Sequence, residues 1–156
     1  MEHPESHLVR RTFTVRQMDL PPSVQLTKRS LLRWFALSFG LLSEKESRST
    51  VLDVLDALLY FNLARASPPT TTDIQNYVKV KSGKDISEKL LRYHLKRLID
   101  IGFLQRRRLR YFFCSDPKSD PADLKAGFNH HISEPLNKSL GDVVFVLEKL
   151  SDSYKK

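Results

Sequence analysis

The sequence predicts a mainly α-helical protein carrying one small β-hairpin, and three observations predict it. Apolar residues recur at three- and four-residue spacing in four stretches between residues 27 and 101, each opened by Ser or Thr. After Gly102 the period drops to two, over residues 103–107 and again over 110–114. From Leu136 onward, large apolar side chains fall at intervals of 4, 3, 4, 3 and 4.

Composition bounds the function before any element is assigned. The chain has 156 residues, 40% of them hydrophobic, with 26 Lys and Arg against 18 Asp and Glu. That suits one ordinary core with extensions, and argues against wholesale disorder. One cysteine excludes a disulfide scaffold and a multi-thiolate metal site. Neither GxGxxG nor GxxxxGK[ST] occurs. The start, MEHPESH, has no apolar run behind a basic segment, so no secretion leader is expected. The longest apolar stretch, residues 31–42, has 12 residues and includes Arg33, too short to span a bilayer. The expectation is a soluble cytoplasmic protein with no membrane partner, nucleoid-associated if prokaryotic.

Residues 1–26 read as an N-terminal arm. Val9, Phe13 and Val15 alternate with polar residues as in a short strand, and Pro21 and Pro22 stop it. Arg10, Arg11 and Arg16 give the arm a basic character.

Thr27 caps a first helix running to about Phe39, with Gly40 near its end. Leu31, Leu32, Trp34, Phe35 and Leu37 surround much of it, which predicts burial on more than one side, in the core or at a subunit interface. After the polar run 43–49, Ser49 or Thr50 caps a second helix to about Arg65. There Asp53, Asp56 and Asn62 are expected to face away from the apolar stripe. SPPT (67–70) ends it. Thr71 or Thr72 starts a short third helix, and Gly83 marks the following turn.

Ser87 caps a fourth helix through about Ile101, with Leu91, Leu95 and Leu98 as its buried stripe. The two strand-like runs that follow leave Arg108 and Leu109 between them as a tight turn, although it lacks Asn-Gly or Asp-Gly. Beyond the loop 116–123, Asp120 as N-cap and Pro121 as first helical residue open another helix. Ser133, Glu134 and Pro135 restart or kink it, and it then runs to the C-terminus.

The charge is concentrated. Residues 79–110 hold eleven basic and three acidic side chains, so this window carries the whole net charge of +8. A focused basic patch is the footprint of a polyanion binder, and a solvated face that aids solubility is the alternative.

The order helix, short helix, capped helix, Gly and basic hairpin is a winged-helix arrangement. The text ISEKLLRYHLKRLIDIGFLQRR, with Ser87, Leu91, His94, Leu95, Leu98, Gly102, Phe103 and Leu104 in register, resembles the recognition helix and wing of ArsR- and MarR-type transcriptional regulators. The resemblance covers residues 50–114. The turn VKVKSGKDI is several residues longer than that pattern, and Leu90 stands where a small polar residue is common.

The resemblance implies a winged helix-turn-helix with N-terminal and C-terminal helical extensions: an arm over 1–26, the winged-helix domain with its preceding apolar helix over 27–115, and a C-terminal helical dimerisation segment over 116–156. It implies sequence-specific duplex DNA binding, with helix 87–101 in the major groove and the wing 105–110 on the backbone or minor groove. With the leucine stripe inward, Ser87, which also caps the helix, joins Lys89, Arg92, Tyr93 and Lys96 as the helix's expected DNA contacts, the last four facing outward toward bases and phosphates. Arg106, Arg107, Arg108 and Arg110 form the wing, and Lys79, Lys81 and Lys84 around the preceding turn are backbone contacts supplying affinity without sequence information.

Leu136, Leu140, Val143, Leu147, Leu150 and Tyr154 form a heptad seam over nearly three heptads. A homodimer contact through this seam fits paired recognition helices on two half-sites. Packing of the seam onto the Trp34 helix of the same protomer is the alternative. Cys114, His94, His130 and His131 match no metal-ligand spacing, and no HExxH, GxSxG or Cys-x-x-Cys is present. A binding protein is therefore expected: no enzyme, no metal and no cofactor. The competing reading is a winged-helix protein-interaction or RNA-binding module with a protein partner, within a larger transcription, replication or chromosome-maintenance complex.

Overall fold

A computed structural model describes residues 2–45 and 50–156. It is mainly helical with one two-stranded antiparallel hairpin. Helix α1 spans Lys28–Ser38, and the Thr27 side chain accepts from the Ser30 N–H as the sequence predicts. Helix α2 (Thr50–Leu59) continues into a π-helical turn, Tyr60–Ala64. Ser49, one candidate cap for α2, lies outside the described residues.

Helix α3 (Thr71–Ser82) opens with a complete capping box. Thr70 accepts from the Asp73 N–H, and the Asp73 carboxylate accepts from the Thr70 N–H. It has 12 residues, and it ends at Gly83, whose φ of +72° suits a residue without Cβ. Helix α4 (Glu88–Asp100) is capped by Ser87, which accepts from the Leu90 N–H.

Strands β1 (Leu104–Arg107) and β2 (Arg110–Phe113) pair with Arg106 opposite Tyr111 and Arg107 opposite Arg110. The two-residue turn is the expected one. Arg108 itself takes the positive φ, +59°, that Asn or Gly would adopt at less strain. Beside β2 runs the segment between α2 and α3: the Pro69 carbonyl accepts from the Tyr111 N–H at 2.9 Å, and the Pro68 carbonyl accepts from Arg110 at 2.7 Å. Two consecutive prolines have no N–H to return, so this edge gives no third strand.

The core centres on α2. Val51, Leu52, Val54, Leu55 and Leu58 are buried against Ile74 and Val78 of α3, Leu91, Leu95 and Leu98 of α4, and Leu104, Tyr111 and Phe113 of the hairpin. Burying each such aliphatic side chain contributes about 1.5–3 kcal/mol. Phe35, Phe39, Phe103, Phe113 and Phe128 form a tilted and edge-on aromatic chain, ring to ring at 4.9–6.3 Å, joining α1 to the hairpin and to α5 (Leu124–Phe128).

Four expectations are corrected. The strand over Val9–Val15 does not form: the arm has no strand partner, and it is held through Phe13 and the Arg11 and Arg16 side chains instead. Asp53 and Asp56 do not face solvent; Asp53 is buried and Asp56 half-buried, because basic side chains of α1, α3 and the following turn close over them. Asp120 does not cap a helix. Its carboxylate accepts from the Ala122 N–H within the loop, and Asp123 caps α5 by accepting from the Ala126 N–H. Residues 124–132 are not a segment apart from the core: Ile132 is fully buried in it, and Leu124 and Phe128 pack against it.

The C-terminal helix is continuous but bent in type. From α5 the chain passes through a π-helical turn, Asn129–Ser133, into α6 (Glu134–Lys155), as the Ser-Glu-Pro run suggested. No residue of α6 is buried.

Candidate nucleic-acid interface

The leucine stripe of α4 faces the core, so the geometry of a 3.6-residue turn turns the remaining side chains outward. Lys89, Leu90, Arg92, Tyr93 and Lys96 are all exposed. Ser87, expected as the cap, does cap. Arg92 is held by Glu88 one turn earlier at 2.8 Å, and that carboxylate raises the guanidinium's affinity for its proton. Lys96 lies 3.8 Å from Asp100, and Lys89 has no ion pair among the described residues. Both i,i+4 pairs are exposed, so each holds its cation only weakly and a phosphate can take it over.

The hairpin carries the second group. Arg106, Arg107 and Arg108 are exposed and lie at or beside the turn. Arg107 stacks 4.9 Å from the Phe112 ring centre, which leaves its N–H edge outward. Arg110, expected in the same group, donates to the Pro68 carbonyl and so ties β2 to the α2–α3 segment.

Lys81 and Lys84 each carry an acidic partner. Lys81 donates to the Asp56 carboxylate at 2.6 Å and to Tyr77 Oη at 3.1 Å, and both partners raise its pKa. Lys84 meets Asp53 at 3.0 Å, where Arg29 joins from α1 at 3.1 Å. Lys79 pairs with Asp85 at 3.0 Å. Arg97 donates to the carbonyls of Gly40 and Leu41, past the C-terminal end of α1, and Arg16 donates to those of Leu37 and Leu42. The eleven-cation window is thus divided. Lys89, Arg92, Lys96 and residues 106–108 point outward from α4 and the hairpin, Lys79 pairs with Asp85 in the turn that follows its own helix, and Lys81, Lys84, Arg97 and Arg110 hold elements together.

Sequence reasoning missed these fasteners because their partners lie far along the chain. The capping side chains, by contrast, were readable from three-residue spacings.

The histidine pair sits at the π-helical turn. His131 Nε2 is 2.8 Å from the Ser115 carbonyl, and His130 Nδ1 lies 3.8 Å from Glu134 and 4.0 Å from Asp116. The Lys118 N–H, the Ser119 hydroxyl and His130 hold the Asp116 carboxyl below the usual range. Burial pushes the Cys114 thiol up, and Arg11 opposes part of that. Among the described residues no group of three His, Cys, Asp or Glu side chains is arranged to hold a metal ion, and no helix is long and apolar enough to cross a membrane.

The seam residues divide at the first position. Leu136 is half-buried, whereas Leu140, Val143, Leu147, Leu150 and Tyr154 are exposed, together with Val144, Phe145 and Val146. They do not pack onto the Trp34 helix. Trp34 instead turns its indole N–H to the Asp19 carbonyl at 2.8 Å. No protein-family model, curated protein or solved structure matches the chain.

Proposed function

We propose that this protein is a homodimeric, winged-helix type binder of duplex DNA that acts as a transcriptional regulator. The observation that carries the reading is the outward face of α4, where Lys89, Arg92, Tyr93 and Lys96 stand clear of any core role beside an arginine turn at 106–108. A helix of this length fits the major groove, where Arg92 can address guanine O6 and N7 and Tyr93 a thymine methyl or a phosphate. The hairpin arginines suit phosphates or a narrow minor groove. Ordering of α2, α3, α4 and hairpin around one core supports the winged-helix assignment, as does the Pro69–Tyr111 bond that lays the α2–α3 segment along β2.

Two copies are needed because an exposed α6 offers its seam to another helix, and a dimer doubles the number of phosphates neutralised. Selection of bound sequences from random duplexes, followed by salt titration of the affinity, tests the reading. The expected result is a two-half-site motif with a steep salt dependence. Equal, weak affinity for every duplex would count against it.

The second reading, an RNA-binding or protein-interaction module of a larger complex, draws on the same exposed apolar α6. A tighter complex with single-stranded or hairpin RNA than with any duplex DNA would favour it.

A further inference from the structure

The seam accounts for only part of what α6 exposes. Residues 143–147 read VVFVL, five consecutive apolar side chains, and in an α-helix five successive residues point all the way round. Val143 and Leu147 belong to the seam; Phe145 stands on the side opposite to it, flanked by Val144 and Val146, and it is 58% exposed. A helix apolar on every side is one that is enclosed by more than a single neighbour. Pairing of two α6 helices leaves the Phe145 side bare.

The rest of the molecule offers a surface for it. Between α1 and α2 lies an apolar groove of two adjoining hollows, about 340 and 550 Å³, which share Leu31, Leu32 and Leu59. Phe35 and Phe128 extend it toward α5, Tyr60 and Leu63 in the other direction. Leu31 is 46% and Leu63 39% exposed, so these groove leucines meet water in the single chain.

We infer that the Phe145 side of α6 from one protomer lies in the α1–α2 groove of its partner, reciprocally. This deepens the homodimer reading and rests on it.

Three features select a second copy of this chain as the occupant. First, no loop joins α6 to the core: α5, the π-helical turn and α6 are one continuous helical path, so residues 140–150 have no hinge by which to fold back into their own groove. Second, the charges match. Lys28 borders one hollow and Lys125 the other, neither with an ion pair among the described residues, and the pair of Asp56 and Lys81 in the first hollow adds no net charge. On α6, Glu148 and Asp152 flank the apolar collar, equally without an ion pair among the described residues. With Lys149, which lies over the Phe145 ring at 5.4 Å, they leave that side net negative. Third, Val144, Phe145 and Val146 on that side are each more than half exposed, and two such sides closing reciprocally on two grooves add to the seam contact toward the ~1,600 Å² of a standard specific interface. A self-complementary contact of this kind closes with two-fold symmetry.

Disulfide trapping combined with a mass measurement tests this. In a Cys114→Ser background, one chain carries Leu31→Cys and a second, differently tagged, carries Phe145→Cys. Oxidation of the mixture is expected to give a cross-linked heterodimer, and neither chain alone should cross-link. A chain with both substitutions should migrate as a covalent dimer. Phe145→Asp, with the seam intact, should raise the dimer dissociation constant at least tenfold. A dimer by mass in which no 31–145 link forms would overturn the groove contact while leaving the seam dimer standing. A link closed within one chain would assign the groove to the same protomer and likewise overturn it. A monomer at micromolar concentration would remove the homodimer reading itself, and this contact with it.

Discussion

Arg11 donates from its guanidinium to the carbonyl oxygen of His131, 120 residues away. Pro135, four residues on, has no N–H with which to fill that oxygen in the helix. The same guanidinium covers Gly102, where an added Cβ would meet Arg11 Nη1 at 2.6 Å, and it stacks 4.4 Å from the Phe13 ring centre. One arm residue thereby joins the end of α4 to the π-helical turn that leads into α6.

Arg11→Ala should therefore destabilise the fold by about 1 kcal/mol, the net worth of a hydrogen bond from a charged donor that water can partly replace. Pro135→Ala supplies an N–H at the vacant place. In the double variant the two effects should not add, and urea unfolding of the four species measures the coupling. Strict additivity would mean that Arg11 and Pro135 do not share the His131 oxygen.

Binding should respond differently to the two basic groups. Arg92→Ala is expected to lose about 1–3 kcal/mol of affinity and to relax base preference at one position, while Glu88→Gln, which frees Arg92, should tighten binding slightly. Changing Arg107 and Arg108 together to Ala should weaken all duplexes alike and flatten the log–log salt slope by roughly 2. Fluorescence anisotropy against salt separates these outcomes.

Lys84→Ala should act on stability rather than on DNA. It leaves the nearly buried Asp53 carboxylate with Arg29 alone, at a cost of about 1 kcal/mol by denaturant unfolding. Affinity for duplex is expected to change less than twofold. A loss of binding as large as that of Arg92→Ala would instead put Lys84 on the nucleic acid.

The seam predicts a concentration-dependent protein. Leu147→Asp should yield a monomer by sedimentation, with weaker and non-periodic DNA binding, because a single copy spans one half-site. Its helical content should also fall, since most of the stability of an isolated helix in water comes from packing. A dimer of wild-type strength would show that Leu147 is not at the contact.

Cys114 reports on the fold through its proton. Burial holds the thiol neutral, so alkylation by iodoacetamide in the native protein should rise only above the ordinary thiol range, and should be fast at lower pH once the chain is unfolded. Because the folded state keeps this proton longer, its contribution to stability is present below the unfolded pKa and is lost as pH rises through the folded one. An ordinary thiol profile in the native state would contradict the burial.

The sequence by itself determined the helices, their caps at Thr27 and Ser87, the hairpin turn at Arg108 and Leu109, and the spacing of the α6 seam. Each of these depends on residues within one or two turns of each other, where apolar period and capping chemistry act. Net charge was equally legible, but its use was not. Tertiary structure alone decided that Lys81 and Lys84 serve Asp56 and Asp53, 25 and 31 residues distant, that Arg97 closes the end of α1 from 56 residues away, and that Lys89, Arg92 and residues 106–108 remain outward. A side chain's charge is fixed by its chemistry, but whether it holds the fold or meets a partner depends on which groups the packed chain brings within about 3 Å of it.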